Sequence, residues 1–219
     1  MIGAVIAMDS EAEALLDQME IENILTVHGK PVYAGKAFGK DVLLCVCGVG
    51  KVNAAVGACA VMEKGAQVLL NFGVAGGLHE KTELTEVYLI DRAVQYDFDL
   101  TQLNGGKQGT LDGETENFLP LFAPAALDFP RRALASGDRF NDSAADHDLL
   151  LSLGADIRDM EGAAIAQVCK YAGVPLLSVK AISDVYGAGS TTEQYKKNTA
   201  RAMLNLKAFM GEIFAALEG

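Results

Sequence analysis

Short runs of consecutive apolar residues recur along the chain, each closed by glycine or by a polar pair, and stretches of helical period separate them. Runs of this kind predict strands buried on both faces, as in a parallel sheet covered by helices. The run that organises the rest is Pro175–Asp184, apolar until it ends in Ser183-Asp184 and a loop, Val185-Tyr186-Gly187-Ala188-Gly189. In open α/β sheets ligands bind beyond the carboxyl ends of the strands. Asp184 therefore stands where a side chain can meet a crevice. Aspartate is also common in turns, where it bonds the local backbone, and this strand alone leaves both readings open.

Taken in order, Ile2–Met8 predicts a first buried strand, with Asp9 as N-cap and Glu11, Ala12, Leu15, Leu16 and Met19 on a short amphipathic helix. Glu11 falls in the first helical turn, where an acid commonly does no more than complement the helix dipole. Ile24–Val27, Val32–Phe38 and Val42–Cys47 predict a β-meander, broken at the turn-like His28–Pro31 and at Gly39-Lys40. Gly48-Val49-Gly50-Lys51 then opens a helix carrying Val52, Ala55, Ala58, Cys59 and Met62. Gln67–Phe72 is the next buried strand, ending in Gly73–Leu78, whose small residues let a ligand approach the backbone.

Glu86–Val94 predicts a long strand, and residues 104–131 an irregular connection containing Pro120, Pro124 and Pro130. A connection of that length is usually functional or a lid. Its apolar residues Leu100, Leu103, Phe118, Leu119, Leu121 and Phe122 predict either a surface covered by a partner or a local satellite core. Ala133–Ser136 is a short strand, Ser143–Leu153 a helix, and Ile157–Gly162 a strand-to-helix junction leading into Ala163–Tyr171. Ser190-Thr191-Thr192-Glu193 has the capping-box pattern. The helix it opens keeps a helical period through Tyr195, Ala202, Leu206, Phe209, Ile213 and Leu217. No internal repeat or linker interrupts the pattern, so residues 1–219 are expected to form a single α/β domain.

Composition narrows the function class. A net charge of −11 sets the chain against nucleic acid and anionic membranes as partners. Cys45, Cys47, Cys59 and Cys169 include no CxxC pair, so neither zinc nor thioredoxin-like chemistry has its spacing, and no metal is expected. Reduced thiols, an opening too short for a signal peptide and no bilayer-length apolar run predict a cytoplasmic protein. The glycines at 48 and 50 do not make a nucleotide loop. A phosphate loop needs glycine at Cys45 and Ser or Thr at Val52, and a dinucleotide fingerprint needs glycine at Asn53.

The residues so gathered are Met8–Glu11, Gly48–Lys51, Ala75-Gly76-Gly77, Ser136-Gly137-Asp138, Met160-Glu161 and Ser183-Asp184. In that order and spacing the chain resembles the 5′-methylthioadenosine/S-adenosylhomocysteine nucleosidases of the purine nucleoside phosphorylase superfamily. The combination of Asp159-Met160-Glu161-Gly162-Ala163-Ala164-Ile165-Ala166-Gln167 with Ala181-Ile182-Ser183-Asp184 carries most of it. The resemblance implies a three-layer α/β/α sandwich around a mixed central sheet, nucleoside phosphorylase-like, in a homodimer with no cofactor. It implies hydrolysis of the N-glycosidic bond of 5′-modified adenine nucleosides, in methionine salvage.

It further implies that Asp184 is the general acid at purine N7, with Ser183 orienting it, and that Glu11 is the base for the attacking water. Glu161 would hold the ribose hydroxyls, Met160 would pack on the sugar and Phe140 would stack on the purine. The Asn141 backbone would reach the purine edge, and Gly76 and Val49 would complete the substrate-binding wall. This division of labour is chemically coherent: cleavage creates an oxocarbenium-like centre, so one group must serve the leaving side while another activates water. Two carboxyls in different environments can hold different protonation states at one pH.

Three departures from the family's pattern bear on the 5′ end. Val74 replaces a usual Ser or Thr, Lys180 replaces an Arg of many bacterial members, and Leu103–Gly106 lacks the usual aromatics. Related phosphorylases grip phosphate with glycine and arginine after the first strand, where this chain has Met8-Asp9-Ser10-Glu11. Phosphorolysis and an inactive nucleoside-binding protein are the competing readings.

Overall fold

Side chains alternate along β1 (Ile2–Ile6) and divide the molecule into layers. Val5 joins a core built with α2 (Lys51–Glu63) and α5 (Gly162–Ala172), through Ala54, Ala58, Val61, Ala163 and Ile165. Ile2, Ala4 and Ile6 face the other way, into a core with α1 (Asp9–Leu16), α6 (Thr191–Ala208) and α7 (Met210–Ala216). This period of two on a strand buried from both sides is what the continuous apolar run requires. The result is the expected three-layer arrangement, helices on both faces of one mixed sheet. The computed structural model describes residues 1–78, 82–140 and 142–217.

β2 (Glu20–Val27), β3 (Lys30–Ala37) and β4 (Lys40–Val46) form the antiparallel meander at one edge. Its turns are tighter than predicted. His28-Gly29 (φ 50° and 74°) and Phe38-Gly39 (φ 51° and 74°) are two-residue turns with both positions left-handed, so β3 begins at Lys30 and includes Pro31. Turns of that hand match the strand twist.

β5 (Val68–Gly77) is the hub of the sheet. It pairs in parallel with β1 along its first residues and with β10 (Leu176–Val185) along its whole length. It therefore runs on through the glycines where the sequence predicted an end at Phe72, because Gly76 and Gly77 pair antiparallel with β9 (Ile157–Asp159). β10 continues antiparallel to β6 (Val87–Gln95), which runs parallel to β8 (Arg131–Ser136), itself parallel to β9. The β5, β10, β6, β8 and β9 pairings thus close on themselves at the carboxyl end of β5.

Several local expectations need correction. Asp9 is the first residue of α1 and not its cap; Met8 holds the extended cap position, with no side-chain bond. The last helix is two helices, broken at Phe209 (φ −98°, ψ 2°), whose ring packs edge-on against Phe129 at 5.0 Å. The long connection contains α3 (Thr101–Asn104) and β7 (Leu119–Pro120), which pairs with β6. Leu119 is buried there, Phe118 and Leu121 pack on the chain's own cores, and Arg92 lies over the Phe118 ring. The apolar surface shrinks to Leu103 (81% exposed) and Phe122 (39%). α4 (Ala144–Leu153) is capped by Ser143, and Ser190 caps α6 as the capping-box pattern predicts.

Candidate active site

The carboxyl ends of β1, β5 and β10, the β9–α5 junction and the start of α6 surround one cavity of about 370 Å³. Asp184, Glu11, Glu161, Met160, Phe140, Ser183, Gly76 and Val49, all singled out from sequence, line it together. Asn141 lies outside the described residues.

Asp184 reaches the cavity through a defect in strand pairing. Ile182 pairs with Ala75 and Asp184 with Gly76, so Ser183 is an extra residue, a β-bulge. Bulges re-aim side chains and are frequent beside active sites. Here the bulge lets the Ser183 hydroxyl donate to Asp184 Oδ2 at 2.8 Å. Oδ1 accepts no hydrogen bond among the described residues, and the Arg158 Nη2 is 3.8 Å from it. Burial pushes the Asp184 carboxyl above its ordinary range, against the opposing pull of Ser183 and Arg158.

Glu11 is 4% exposed, and its Oε1 accepts the Val74 N–H at 2.8 Å. Gly73 makes this approach possible: a Cβ there would stand 2.4 Å from the same oxygen. The backbone of Val74 thus holds the carboxylate although its side chain brings no hydroxyl. Burial raises Glu11, while the Lys180 ammonium opposes the shift.

Glu161 sits at the N-cap position of α5, and its Oε1 accepts the Gly50 N–H at 2.7 Å. Gly50 is left-handed (φ 101°), a conformation glycine adopts freely, and it caps α2. Burial, and then the neighbouring Asp159 charge, push Glu161 up to about 7.

Sequence reasoning named Ser136, Asp159 and Lys180 without giving them the role of holding these acids in place. Asp159 accepts from the Ser136 hydroxyl and from the Gly162 N–H at 2.9 Å, and pairs with Lys180 Nζ at 2.9 Å. Lys180 is 2% exposed. In the sequence it stood out as a replacement for the family's arginine and as a charge inside an apolar strand, which demands a buried partner. Tyr195 read as one apolar position of a helix. It lies edge-on to Phe140, ring centroids 5.5 Å apart, and the two rings stand on the cavity wall. Arg139, Arg158, Thr192 and Lys196 also line the cavity and were not anticipated.

Chemically, the cavity joins three desolvated carboxyls with differing partners to an aromatic wall. That combination fits a planar base with a polyhydroxylated appendage.

A model described as the phosphorylase superfamily matches residues 1–215. A 5′-methylthioadenosine/S-adenosylhomocysteine nucleosidase of Marinomonas sp. is 30% identical over 219 aligned positions, covering 91% of this chain and 93% of that protein. Among solved structures, the enzyme of the same description from Neisseria meningitidis, in complex with methylthio-immucillin-A, is 25% identical. It superposes with a TM-score of 0.88 over 99% of each chain. Futalosine hydrolase of Helicobacter pylori superposes at 0.89, with 22% identity, over 99% of this chain and 97% of that one.

Proposed function

The chain belongs to the phosphorylase superfamily, and within it we propose the activity of a nucleosidase, hydrolysis of the N-glycosidic bond of 5′-modified adenine nucleosides. The substrates are 5′-methylthioadenosine, S-adenosylhomocysteine and 5′-deoxyadenosine, and the setting is cytoplasmic methionine salvage. Asp184 and Glu11 carry the reading: two buried carboxyls on one cavity with different partners, one beside a donor hydroxyl and a guanidinium, the other on a backbone N–H.

Asp184, its proton affinity raised by burial, gives a proton to purine N7 as the C1′–N9 pair leaves with the base. Ser183 fixes its rotamer. The water oxygen bonds C1′ on the opposite face, and the water proton passes to Glu11. Glu161 accepts from the ribose hydroxyls, while Met160 and Phe140 pack on sugar and base. Gly76 and Val49 complete the wall.

Hydrolysis is favoured over phosphorolysis because the first turn of α1, directly after β1, brings Glu11 into the cavity, and a carboxylate repels phosphate while activating water. Adenine release from 5′-methylthioadenosine is expected to be unchanged by added phosphate, with free 5-methylthioribose as co-product. A strong rate increase and a sugar 1-phosphate product would mean a phosphorylase. No release under either condition would leave the binding-protein reading.

The protein acts as a homodimer in this reading. Leu103 and Val52, 81% and 76% exposed, are apolar surface suited to a second copy. Light scattering at micromolar concentration is expected to return twice the chain mass of 23.1 kDa. A fully active monomer would overturn the assembly.

A further inference from the structure

We propose that Arg158 reads position 6 of the purine and admits 6-oxopurine nucleosides, the hypoxanthine and guanine class, as substrates beside the 6-aminopurine ones. The inference rests on the nucleosidase reading and on Asp184 marking the N7 edge of the base.

Arg158 stands on β9 opposite Gly76 of β5, and Gly76 is also the register partner of Asp184. A Cβ at Gly76 would lie 2.9 Å from Asp184 Oδ1 and 3.0 Å from Arg158 Nε. Both side chains therefore cross the same glycine and enter the cavity together. The Arg158 side chain is 11% exposed, so its guanidinium belongs to the cavity wall and not to a solvated rim. Its Nη2 lies 3.8 Å from Asp184 Oδ1, which places donors directly beside the proposed N7 acid.

The edge of the base next to N7 differs between the two purine classes. Adenine shows an acceptor at N7 and an amino donor at C6, whereas hypoxanthine and guanine show acceptors at N7 and O6. A carboxyl group alone serves adenine, donating to N7 through one oxygen and accepting the amino group through the other. Guanidinium has only donors. Facing O6 it forms a charge-assisted hydrogen bond, and facing an amino group it sets donor against donor. With Arg158 beside it, Asp184 can serve N7 while the guanidinium takes O6.

The test is base release from a matched pair, 5′-methylthioadenosine and 5′-methylthioinosine, by the unmodified protein and by Arg158→Met, which keeps an unbranched stem and has no donors. Both substrates are expected to be cleaved by the unmodified protein. The variant is expected to lower the 6-oxo to 6-amino ratio of kcat/KM by about 10–100-fold, the discrimination of one good directional contact to a base edge. Arg158→Lys should recover part of the ratio. Release of adenine but no hypoxanthine by the unmodified protein overturns the inference and leaves the nucleosidase reading standing; release of neither removes both. An equal loss on both substrates would mean that Arg158 acts only through Asp184, and the inference would fall. Calorimetric titration of hypoxanthine and adenine into the unmodified protein needs no variant, and binding of adenine alone would also overturn it.

Discussion

Asp184→Asn lowers kcat by about 10²–10⁴-fold, the usual contribution of a positioned general acid. The amide has the shape of the carboxyl and can keep the Ser183 contact through its oxygen, now made at 2.8 Å to Oδ2. What it cannot do is deliver a proton to a leaving base. Glu11→Gln is expected to fall by a similar factor with nucleoside binding largely intact, since its loss falls on water activation. Glu161→Gln should weaken binding and chemistry together, because ribose contacts serve both states.

The pH behaviour separates Asp184 from an ordinary structural acid. Burial raises its pKa above the ordinary aspartate value of 3.8, so the fold favours the protonated form. The stabilisation associated with that form is complete below the unfolded value and is lost as pH rises through the folded one. Asparagine is neutral throughout and carries no such slope. The variant should therefore lose activity at every pH yet resist denaturation relatively better on the alkaline side. Paired kcat and denaturation measurements at pH 5 and pH 8 check both halves, and near-normal turnover in Asp184→Asn would remove the mechanism.

Much of this arrangement was legible in the chain because strands buried on both faces leave a plain apolar record. β1, β4, β5 and β10 were all visible as such runs, and Ser143 and Ser190 announced the starts of α4 and α6. The site acids were visible as polar residues just past those runs. Features made by pairing across the sheet were not. Nothing local to Ser183 reveals a bulge, since it exists only as a register shift against β5. The extension of β5 through Gly76 and Gly77 likewise depends on pairing with β9 and β10, at least eighty positions away in register. Tyr195 shows the converse limit: helical period identifies a face but does not distinguish a core from a cavity wall. The same limit applies to the apolar residues of the long connection, where β7 buries Leu119 and leaves Leu103 outside.

Lys180→Met is expected to cost about 3–5 kcal/mol of stability near pH 8, the scale for stripping one partner from a buried ion pair. Lys180 Nζ meets Asp159 Oδ2 at 2.9 Å with both side chains almost wholly buried, and Glu161 and Glu11 lie in the same field. Burial pulls the lysine pKa down, but the three carboxylates more than offset it and carry it above the ordinary lysine value, so the ammonium persists at neutral pH. Methionine matches the stem and supplies no charge, which leaves Asp159, Glu161 and Glu11 desolvated without their cation.

The proton affinities of Glu11 and Glu161, both already raised by burial, must then rise further, from a starting point where Glu161 stands at about 7 against an ordinary 4.5. A carboxyl with a raised folded pKa gives its full contribution below the unfolded value and loses it as pH climbs through the folded value. The cost of Lys180→Met should therefore be smallest near pH 4.5 and grow through pH 7, whereas a packing defect would cost the same at both ends. Lys180→Arg, which keeps the charge, should lose far less. Urea denaturation of the two variants at pH 5 and pH 8 separates these cases: a flat, pH-independent loss in Lys180→Met would show that the ammonium does not hold the three acids in their charged, closely spaced arrangement.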